Sequence, residues 1–463
     1  MAETNKFDIK FGTDGWRGVI SRDFTFTNVR VVSQAVADYI KTRSGRVYGT
    51  GAIVGFDNRF LSREFAFAVA QTLLANGIYT KISSSAVTSP SISYFSKKYK
   101  LYGVMITASH NPPSWNGIKI KLSYGGSVSE EVISGIYSLI GKSSVKHSGD
   151  MPFEADVLGI YERYLLKMTN LPRRSGITAV VDSMFGSGLG IFNRIIKTGI
   201  HSIHNYRDPL FGGINPEPIE SNLSGLKQEV LKQKADVGFA FDGDADRIGL
   251  VDDKGRYLSP HIVFPLILLY LIEQRKLFGK VVQTISLGYL SERIAKHYSL
   301  PFEEVPVGFK YVCPRMIKED VLIGGEESGG YGWKGGIPER DGILNALLIY
   351  EMLSKSGKKL SSLVQEMQKK FGKSVFKRKD IKLSAPIDKK EFTIAVKRHA
   401  LKLANIKEIK DYDGLKIVFR DDSWLLLRPS GTEPVLRTYS ETDSTERTDK
   451  LLKFAFEVVK KYV

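Results

Sequence analysis

The sequence predicts an α/β protein with three α/β domains that hold mainly parallel mixed sheets, followed by a C-terminal α+β lid domain. Strand-like apolar runs alternate with helical patterns along most of the chain, which indicates parallel strands joined by helices. After about residue 372 the pattern changes to closely spaced strands separated by short turns, which indicates antiparallel pairing. With 463 residues, the chain is also too long for one hydrophobic core.

The first unit begins with clear alternation. Ala52–Phe56 and residues 78–83 are predicted as strands, and Ser62–Ala75 between them has the helical period of an amphipathic helix. Thr88, followed by Ser89 and Pro90, is typical of a helix start. Residues 101–106 form the next strand-like run.

The alternation restarts twice. After a polar stretch at residues 143–152 we expect strands at 177–181 and 200–204, with a helix at 187–197 between them. In the third repeat we expect strands at 280–285 and 321–323, with a helix at 291–297 between them.

The longest apolar run, 262–272, is too short to cross a bilayer, so we expect a buried helix.

The last part predicts three strands, at Leu415–Phe419, 424–427 and 435–440, and a final helix at 445–460. Asp413 and Gly414 form a turn signal before the first of these strands. The predicted domains are therefore residues 1–150, 151–256, 257–372 and 373–463.

Composition limits the classes of function. The formal net charge is +17, but the lysines and arginines are scattered and no nucleic-acid-reading module accompanies them. Residues 1–7 lack the pattern of a signal peptide, and Cys313 is the only cysteine, which excludes an intramolecular disulfide. We expect a cytoplasmic protein without nucleic-acid or membrane partners; the sequence does not predict its oligomeric state.

A candidate nucleophile follows the strand at 101–106. Ser109 and His110 lie before Asn111, Pro112 and Pro113, and a turn closed by prolines restricts the motion of the serine. An ordinary surface turn is the alternative, because neighbouring Ser and His side chains rarely face each other usefully.

Three carboxylates alternate in the next candidate loop. Asp242, Asp244 and Asp246 lie between two strand-like runs, and oxygen ligands that converge on one point suit Mg²⁺. A calcium loop of the helix-loop-helix type fits poorly, since Arg247 stands where that loop needs glycine. A solvated acidic turn is the other alternative.

Two glycine-containing loops have side chains suited to hydroxyls and oxyanions. Glu326 and Ser328 are flanked by paired glycines, which let a ligand approach the backbone closely. Near the C-terminus, Arg428, Ser430, Gly431 and Thr432 combine a guanidinium with hydroxyls and backbone N–H groups, a pattern typical of a phosphate site. Each loop alone is weak evidence.

Together, these four loops and residues 12–18 (Gly-Thr-Asp-Gly-Trp-Arg-Gly) resemble the α-D-phosphohexomutases, the superfamily of phosphoglucomutase, phosphomannomutase and phosphoglucosamine mutase. The resemblance extends to residue 434, so it covers nearly the whole chain. It implies four domains and an Mg²⁺-dependent isomerase of carbohydrate metabolism. The implied reaction moves a phosphoryl group between the 1- and 6-positions of a hexose phosphate, with glucose 1,6-bisphosphate as activator.

The resemblance also implies roles for single residues. Ser109 would carry the phosphoryl group, making the chain a phosphoprotein, and would contribute to the Mg²⁺ site formed by the three aspartates. Arg17 and His110 would position the phosphoserine, although His110 could instead be a capping residue. The remaining residues would bind substrate: Arg247 and Lys310 would line the sugar site, Glu326 and Ser328 would contact sugar hydroxyls, and Arg428, Ser430, Gly431 and Thr432 would hold the phosphate that is not reacting.

Lys119 matches the proposed general base of the family. A neighbouring cation makes a neutral amine more accessible, but a lysine that only binds phosphate is the alternative.

The sequence departs from the family pattern at Gly330, where the phosphomannomutase and phosphoglucosamine mutase forms of the sugar loop commonly have histidine. Glu327 resembles the phosphoglucomutase form of this loop, so the prediction favours glucose phosphates. Phosphomannomutase and phosphoglucosamine mutase activities remain alternatives. Two alternatives from other classes of function are a sugar-phosphate hydrolase that uses Ser109 and His110, and a catalytically silent sugar-phosphate sensor.

Overall fold

The computed structural model describes residues 9–12, 15–43, 51–173, 175–384, 388–400, 403–430 and 434–460. Its described residues divide into two compact units. The first unit runs to Leu258 and includes residues 313–319 and 328–360; the second contains residues 259–312, 320–327 and the part of the chain after Leu360. Domain boundaries within these units remain a prediction.

The first sheet has seven strands in the order β1-β2-β6-β5-β3-β4-β7. Strand β3 pairs in parallel with β5 and β4, whereas β6 pairs antiparallel with β5 and β2. The strands are β1 (Phe11–Gly12), β2 (Gly15–Val19), β3 (Ala52–Phe56), β4 (Thr80–Ser83), β5 (Tyr102–Ile106), β6 (Trp115–Lys121) and β7 (Phe153–Ala155).

Helices α1 (Phe26–Arg43), α2 (Ser62–Ala75), α3 (Ser89–Tyr99), α4 (Glu130–Ser138) and α5 (Val157–Met168) accompany this sheet. The predicted start of α3 is confirmed: the Thr88 side chain accepts a hydrogen bond from the Ser91 N–H, which satisfies one of the unpaired donors of the first turn. Asp156 caps α5 in the same way through the Gly159 N–H.

The second sheet has the order β12-β11-β10-β8-β9 and mixes parallel and antiparallel pairs. Its strands are β8 (Ala179–Asp182), β9 (Ile200–Ile203), β10 (Val237–Phe241), β11 (Ile248–Asp252) and β12 (Tyr257–Leu258), with helices α6 (Ile191–Ile195) and α7 (Ser224–Gln233). The helix predicted over 187–197 was too long. Residues 187–190 form turns, and the Ser187 N–H bonds to the Gly243 carbonyl instead of starting a helix.

The next part of the chain contains α8 (Pro260–Glu273), β13 (Lys280–Thr284), α9 (Tyr289–His297), β14 (Phe302–Val305), α10 (Phe309–Lys318), β15 (Val321–Gly325), β16 (Tyr331–Trp333), α11 (Gly342–Ser356) and α12 (Leu360–Phe371). In the second unit, β14, β13 and β15 pair in parallel in that order. The buried helix predicted from the apolar run is confirmed as α8. Within the described part of the chain, no helix combines the length and apolar character that a membrane span requires.

The C-terminal sheet is antiparallel, in the order β17-β21-β20-β19-β18. It contains β17 (Val375–Lys382), β18 (Ile406–Lys410), β19 (Leu415–Phe419), β20 (Trp424–Pro429) and β21 (Val435–Thr442), with helices α13 (Lys389–Ala400) and α14 (Thr445–Val459). The sequence prediction missed β17 and β18. Both are edge strands rich in lysine, and Ile381 is the only buried residue in them. Edge strands carry charges instead of the apolar alternation of a buried strand.

One face of this last sheet forms a core. Leu425, Leu427, Leu436 and Ile381 are buried with Val459 of α14 in one apolar cluster. The predicted fold class, with mixed α/β sheets and a C-terminal α+β region, is thus confirmed.

Candidate active site

The serine loop is built at the carboxyl end of β5 in the first unit. Ser109 is 1% exposed and has a left-handed backbone, with φ of 52°. Its N–H donates to Thr107 Oγ1 at 2.9 Å, and its Oγ donates to Asp242 Oδ2 at 2.6 Å. The alternative of an ordinary surface turn is therefore wrong, since the hydroxyl is buried against a carboxylate.

The three aspartates lie in the turn between β10 and β11, which pair antiparallel from Phe241 and Ile248 onward. Their ligand oxygens lie within 4.8 Å of one another, and all three residues are buried. Both alternatives for this segment fail, because the turn joins strands rather than helices and because the carboxylates are not solvated.

Gly243 lets the serine loop and the aspartate loop meet. A Cβ atom at this position would lie 2.3 Å from the Ser109 carbonyl oxygen, much closer than any side chain tolerates. A glycine between two of the aspartates is thus required for the approach that brings Ser109 to Asp242.

Protein donors hold one oxygen each of Asp244 and Asp246. Asp244 Oδ2 accepts from Lys119 Nζ at 2.8 Å and from Ser89 Oγ at 2.5 Å. Asp246 Oδ2 lies 3.0 Å from Lys119 Nζ and 3.0 Å from Arg340 Nη2. The Oδ1 atoms of both aspartates are buried and accept no hydrogen bond within the described chain. Unsatisfied buried oxygens of this kind fit a hard divalent cation.

Burial and charge perturb the titration of this cluster. Burial, reinforced by the neighbouring Asp246 and Asp244 carboxylates, raises the pKa of Asp242 well above its usual value. For Asp244, burial acts in the same direction, but the Lys119 ammonium outweighs it and lowers the pKa. A bound cation would favour the charged form of all three carboxylates.

Two further predicted residues contact the serine loop. Arg17 of β2 donates from Nη1 to Asn111 Oδ1 at 2.6 Å. His110 Nδ1 lies 3.4 Å from Ser109 Oγ, a marginal distance for a hydrogen bond. Burial, followed by the charges of Arg247, Arg17 and Lys119, lowers the pKa of His110 well below its usual value, so the imidazole is neutral at pH 7.

Arg247 joins the same cluster from the start of β11. Its N–H donates to Asp242 Oδ1 at 3.0 Å, and its Nη1 donates to Glu217 Oε1 at 3.3 Å. Its Nε lies 3.9 Å from Asp246 Oδ1. The role of Arg247 in lining the sugar site stays a prediction.

The predicted sugar loop is divided between the two units. In the first unit, Ser328 Oγ is buried and has no hydrogen-bond partner within the described chain. The next residue, Gly329, accepts from the Ile248 N–H at 3.0 Å, which attaches this part of the loop to β11. In the second unit, Glu326 is 5% exposed, and Glu327 accepts from Ser286 Oγ at 2.6 Å.

The remaining predicted substrate residues lie in the second unit. Lys310 is in the first turn of α10, with Nζ 4.9 Å from the ring centre of Tyr311. Arg428 lies near the end of β20 and donates from Nε to Asp413 Oδ2 at 2.9 Å, while the Ser430 N–H donates to the Val435 carbonyl at 2.8 Å. Gly431 and Thr432 lie outside the described residues.

Gly330 lies against the side chain of Arg340. A Cβ atom there would lie 2.3 Å from Cδ and 2.7 Å from Cγ of Arg340, whose guanidinium contacts Asp246. A side chain at position 330 would therefore require the Arg340 side chain to shift.

Sequence reasoning missed several residues that hold the site: Arg59, Ser89, Glu217 and Arg340. A signal existed for Arg59, because the polar group Asp57, Asn58 and Arg59 directly follows the buried strand β3. Ser89 and Arg340 carry no comparable local signal, since their partners are distant in sequence.

Comparison with known families defines the class of protein. Models of the four domains of phosphoglucomutase/phosphomannomutase match the chain in order. The α/β/α domains I, II and III match residues 8–146, 161–255 and 259–371, and the C-terminal domain matches residues 391–458. With the fold described above, these matches define a four-domain phosphohexomutase.

Individual relatives support the same class of protein. A probable phosphoglucosamine mutase of Thermococcus gammatolerans is 31% identical, with 98% of each chain covered. A phosphoglucomutase/phosphomannomutase of Thermococcus kodakarensis is 30% identical over 97% of this chain and 98% of its own. A crystal structure described as a phosphomannomutase from Thermus thermophilus superposes with a TM-score of 0.86 at 30% identity, covering 98% of this chain and 99% of the other. The chain belongs to the phosphoglucomutase/phosphomannomutase family of the α-D-phosphohexomutase superfamily and is an enzyme of its isomerase class.

Proposed function

We propose that the chain interconverts the 1- and 6-phosphates of a hexose, with glucose 1-phosphate and glucose 6-phosphate as substrates, through phosphorylated Ser109 and a sugar 1,6-bisphosphate. The observation that carries this proposal is the 2.6 Å contact between Ser109 Oγ and Asp242 inside the cluster of three aspartates. A buried hydroxyl next to convergent carboxylates is suited to phosphoryl transfer.

A covalent carrier solves a geometric problem. No single arrangement places both the 1- and 6-oxygens of a hexose in line with one phosphorus atom, so direct transfer is unfavourable. Phosphorylated Ser109 donates its phosphoryl group to the free hydroxyl of the substrate, and Ser109 Oγ is the leaving group. The bisphosphate then turns over, and Ser109 Oγ accepts the other phosphoryl group. Catalytic amounts of glucose 1,6-bisphosphate would restore any serine that loses its phosphate.

Asp242, Asp244 and Asp246 would hold Mg²⁺ through their convergent carboxylates, and Asp244 and Asp246 each have a buried Oδ1 that accepts no hydrogen bond within the described chain. When bound, this ion would neutralise negative charge on the transferring phosphoryl group. Lys119 and Arg340 orient two of the three carboxylates from the opposite oxygens.

Lys119 is the proposed proton acceptor for the attacking sugar hydroxyl. In the structure its ammonium donates to Asp244 and Asp246, so it lies within the cluster where phosphoryl transfer would occur. The same placement supports the alternative in which Lys119 only binds phosphate.

Arg247, Lys310, Glu326 and Ser328 would each contact the sugar. Arg428, Ser430, Gly431 and Thr432 would hold the phosphate that is not reacting. The buried, unpartnered hydroxyl of Ser328 supports its share of this role.

An amino-sugar phosphate is the second candidate substrate. It is favoured by the relatives, several of which are named phosphoglucosamine mutase. Glu326 and Ser328 would read hydroxyls 3 and 4, which these hexoses share, so this loop alone discriminates weakly at carbon 2.

Two measurements test the proposal. Intact mass measurement after incubation with glucose 1,6-bisphosphate should show one added phosphoryl group, and Ser109→Ala should abolish both this addition and mutase turnover. Coupled assays on glucose, mannose and glucosamine 1-phosphates should then give the highest kcat/KM for glucose 1-phosphate. A preference for glucosamine 1-phosphate would transfer the assignment to the amino sugar.

The other classes of function predict different results. A hydrolase would release inorganic phosphate without forming the isomer, and a sensor would bind the sugar phosphate without turnover. Isomerase activity that survives in Ser109→Ala would contradict the proposed covalent carrier.

A further inference from the structure

No step of the proposed reaction uses Arg59, yet the two terminal nitrogens of its guanidinium contact the serine loop. It follows β3, and Phe56 of β3 pairs in parallel with Ile106 of β5. Parallel neighbours deliver their carboxyl ends to the same edge of a sheet, so the segment after Phe56 lies next to the loop that contains Ser109.

The guanidinium of Arg59 contacts four main-chain carbonyls, three in the serine loop and one in the first residue of β6. Nη2 donates to the Ser109 oxygen at 2.6 Å and to the Asn111 oxygen at 2.7 Å. Nη1 donates to the Pro112 oxygen at 2.8 Å and to the Trp115 oxygen at 3.0 Å. The planar, forked donor set of arginine matches this arrangement, and a lysine ammonium does not reproduce it.

The base of the Arg59 side chain is fixed as well. Nε lies 3.3 Å from Asp57 Oδ2, and both side chains are fully buried. Asp57 Oδ1 accepts from the Arg59 N–H at 3.0 Å and from Ser62 Oγ at 2.7 Å. The centre of the Phe211 ring lies 4.9 Å from the guanidinium carbon. Arg59 therefore has little freedom to move.

Ser109 needs such support. Its φ of 52° is a left-handed conformation that residues with a side chain seldom adopt. This conformation places Oγ against Asp242 while the carbonyl turns toward Arg59. The side chain and the main chain of the same residue are thus held by different partners.

We propose that Arg59 is a positioning residue for the nucleophile: it holds the Ser109 loop in the strained conformation that presents Oγ to the aspartate cluster. The inference rests on the proposed function of Ser109 as phosphoryl carrier. It adds a residue that acts only through the main chain of the loop and touches neither substrate nor metal.

The informative substitution is Arg59→Lys, which keeps a charge next to Asp57 but not the donors for four carbonyls. We expect phosphorylation of Ser109 by glucose 1,6-bisphosphate, followed by single-turnover mass measurement, to slow on the order of 100-fold, because small misplacements of reacting groups have effects of this size. The KM for glucose 1-phosphate should stay within about threefold, since the contacts of Arg59 are with main-chain carbonyls, Asp57 and Phe211 and not with the predicted sugar-binding residues.

A matched control separates positioning from loss of stability. Leu73→Ala removes a fully buried side chain from the core of the same sheet, away from the loop. We expect it to lower the melting temperature at least as much as Arg59→Lys without slowing Ser109 phosphorylation. Equal slowing in both variants, or normal phosphorylation in Arg59→Lys, would overturn the inference.

Hydrogen exchange tests the same inference without relying on catalysis. In the absence of substrate, the loop at residues 107–115 should exchange faster in Arg59→Lys than in the parent and in Leu73→Ala. If Arg59→Lys does not fold, Asp57→Asn serves as the second variant, because it removes the charge that anchors Nε; it should also loosen the loop. If the parent protein is never phosphorylated at Ser109 while Arg59→Lys still loosens the loop, the proposed function fails and the structural role of Arg59 stands. Unchanged exchange at this loop would contradict that role.

Discussion

At the scale of single residues, the two cations Lys119 and Arg340 share one oxygen of Asp246. Arg340 stays charged at every accessible pH, whereas a lysine ammonium can release its proton. The cluster therefore contains one permanent and one titratable cation beside the same carboxylate. Of these two residues, therefore, only Lys119 could accept or release a proton during the reaction.

Lys119→Met tests that assignment. If Lys119 accepts the proton of the sugar hydroxyl, kcat should fall by about 10²–10⁴-fold, the usual range for loss of an acid–base group. Binding of glucose 1,6-bisphosphate, measured by calorimetry, should weaken much less. Lys119→Arg is the control, since it restores the charge without an accessible neutral form. Equal losses of turnover and binding in Lys119→Met would make Lys119 a phosphate-binding residue only.

At the scale of elements, the turn between β10 and β11 gathers three carboxylates whose mutual repulsion the protein only partly relieves. The raised pKa of Asp242 is caused first by burial and then by Asp246 and Asp244. A proton and a divalent cation therefore compete for Asp242.

This competition predicts a pH-dependent metal affinity. As the pH falls toward and below the raised pKa of Asp242, Mn²⁺ binding measured by electron paramagnetic resonance should weaken, by about tenfold per pH unit for one displaced proton. Asp242→Asn should bind Mn²⁺ poorly, with little dependence on pH. An affinity for Mn²⁺ in the parent protein that does not weaken as the solution is acidified would contradict the competition.

Helix α11 begins at a second perturbed carboxylate. Asp341 accepts from the Leu344 N–H at 2.9 Å and from Tyr161 Oη at 2.6 Å. Burial, with a smaller effect from Asp246, raises the pKa of Asp341 to about 7. Because the folded pKa exceeds the unfolded value of about 3.9, the fold binds this proton more tightly than the unfolded chain. Its contribution to stability is complete below about pH 4 and is lost as the pH rises to about 7.

Asp341→Asn should remove this loss, because asparagine keeps the shape of the protonated acid but does not ionise. In the presence of EDTA, protection factors of α11 amides, corrected for intrinsic exchange, should fall between about pH 4 and 8 by on the order of 10²–10³-fold in the parent. They should change much less in the variant. A parallel fall in both proteins would show that Asp341 does not control the stability of α11.

At the scale of the whole molecule, the formal net charge of +17 affects the rate at which the protein encounters an anionic substrate. Hexose phosphates and bisphosphates are anions, and a positive protein attracts them over distances that salt screens. The charge does not by itself indicate nucleic-acid binding, since the sequence shows no recognisable nucleic-acid-binding module.

Raising KCl from about 20 to about 200 mM should therefore lower kcat/KM for glucose 1,6-bisphosphate as phosphoryl donor several-fold. The effect on glucose 1-phosphate should be smaller, because it carries fewer charges. Betaine, a zwitterion added at matched osmolality, is the control and should have little effect on kcat/KM. Equal responses to KCl and betaine would exclude electrostatic steering.

Much of the fold was predictable because local signals agree with the final packing. Ala52–Phe56 and Ser62–Ala75 have the predicted bounds, and Thr88 caps α3 as expected. The prediction failed where packing overrides the local pattern: Ser187 bonds to Gly243 instead of starting a helix, and β17 is an edge strand without apolar alternation.

The amino-acid sequence by itself determined the four candidate loops and the family, because the serine loop, the aspartate triplet and the two glycine-containing loops are contiguous motifs. Only the tertiary structure decided how the serine and aspartate loops are held. Ser109 meets Asp242 from 133 residues away, and Arg59 supports the serine loop from 50 residues away. The contact of Arg59 forms where the ends of β3 and β5 meet at one sheet edge, whereas the contact of Ser109 with Asp242 joins loops of two different sheets. Both contacts join residues too far apart in the chain for any short sequence pattern to contain them.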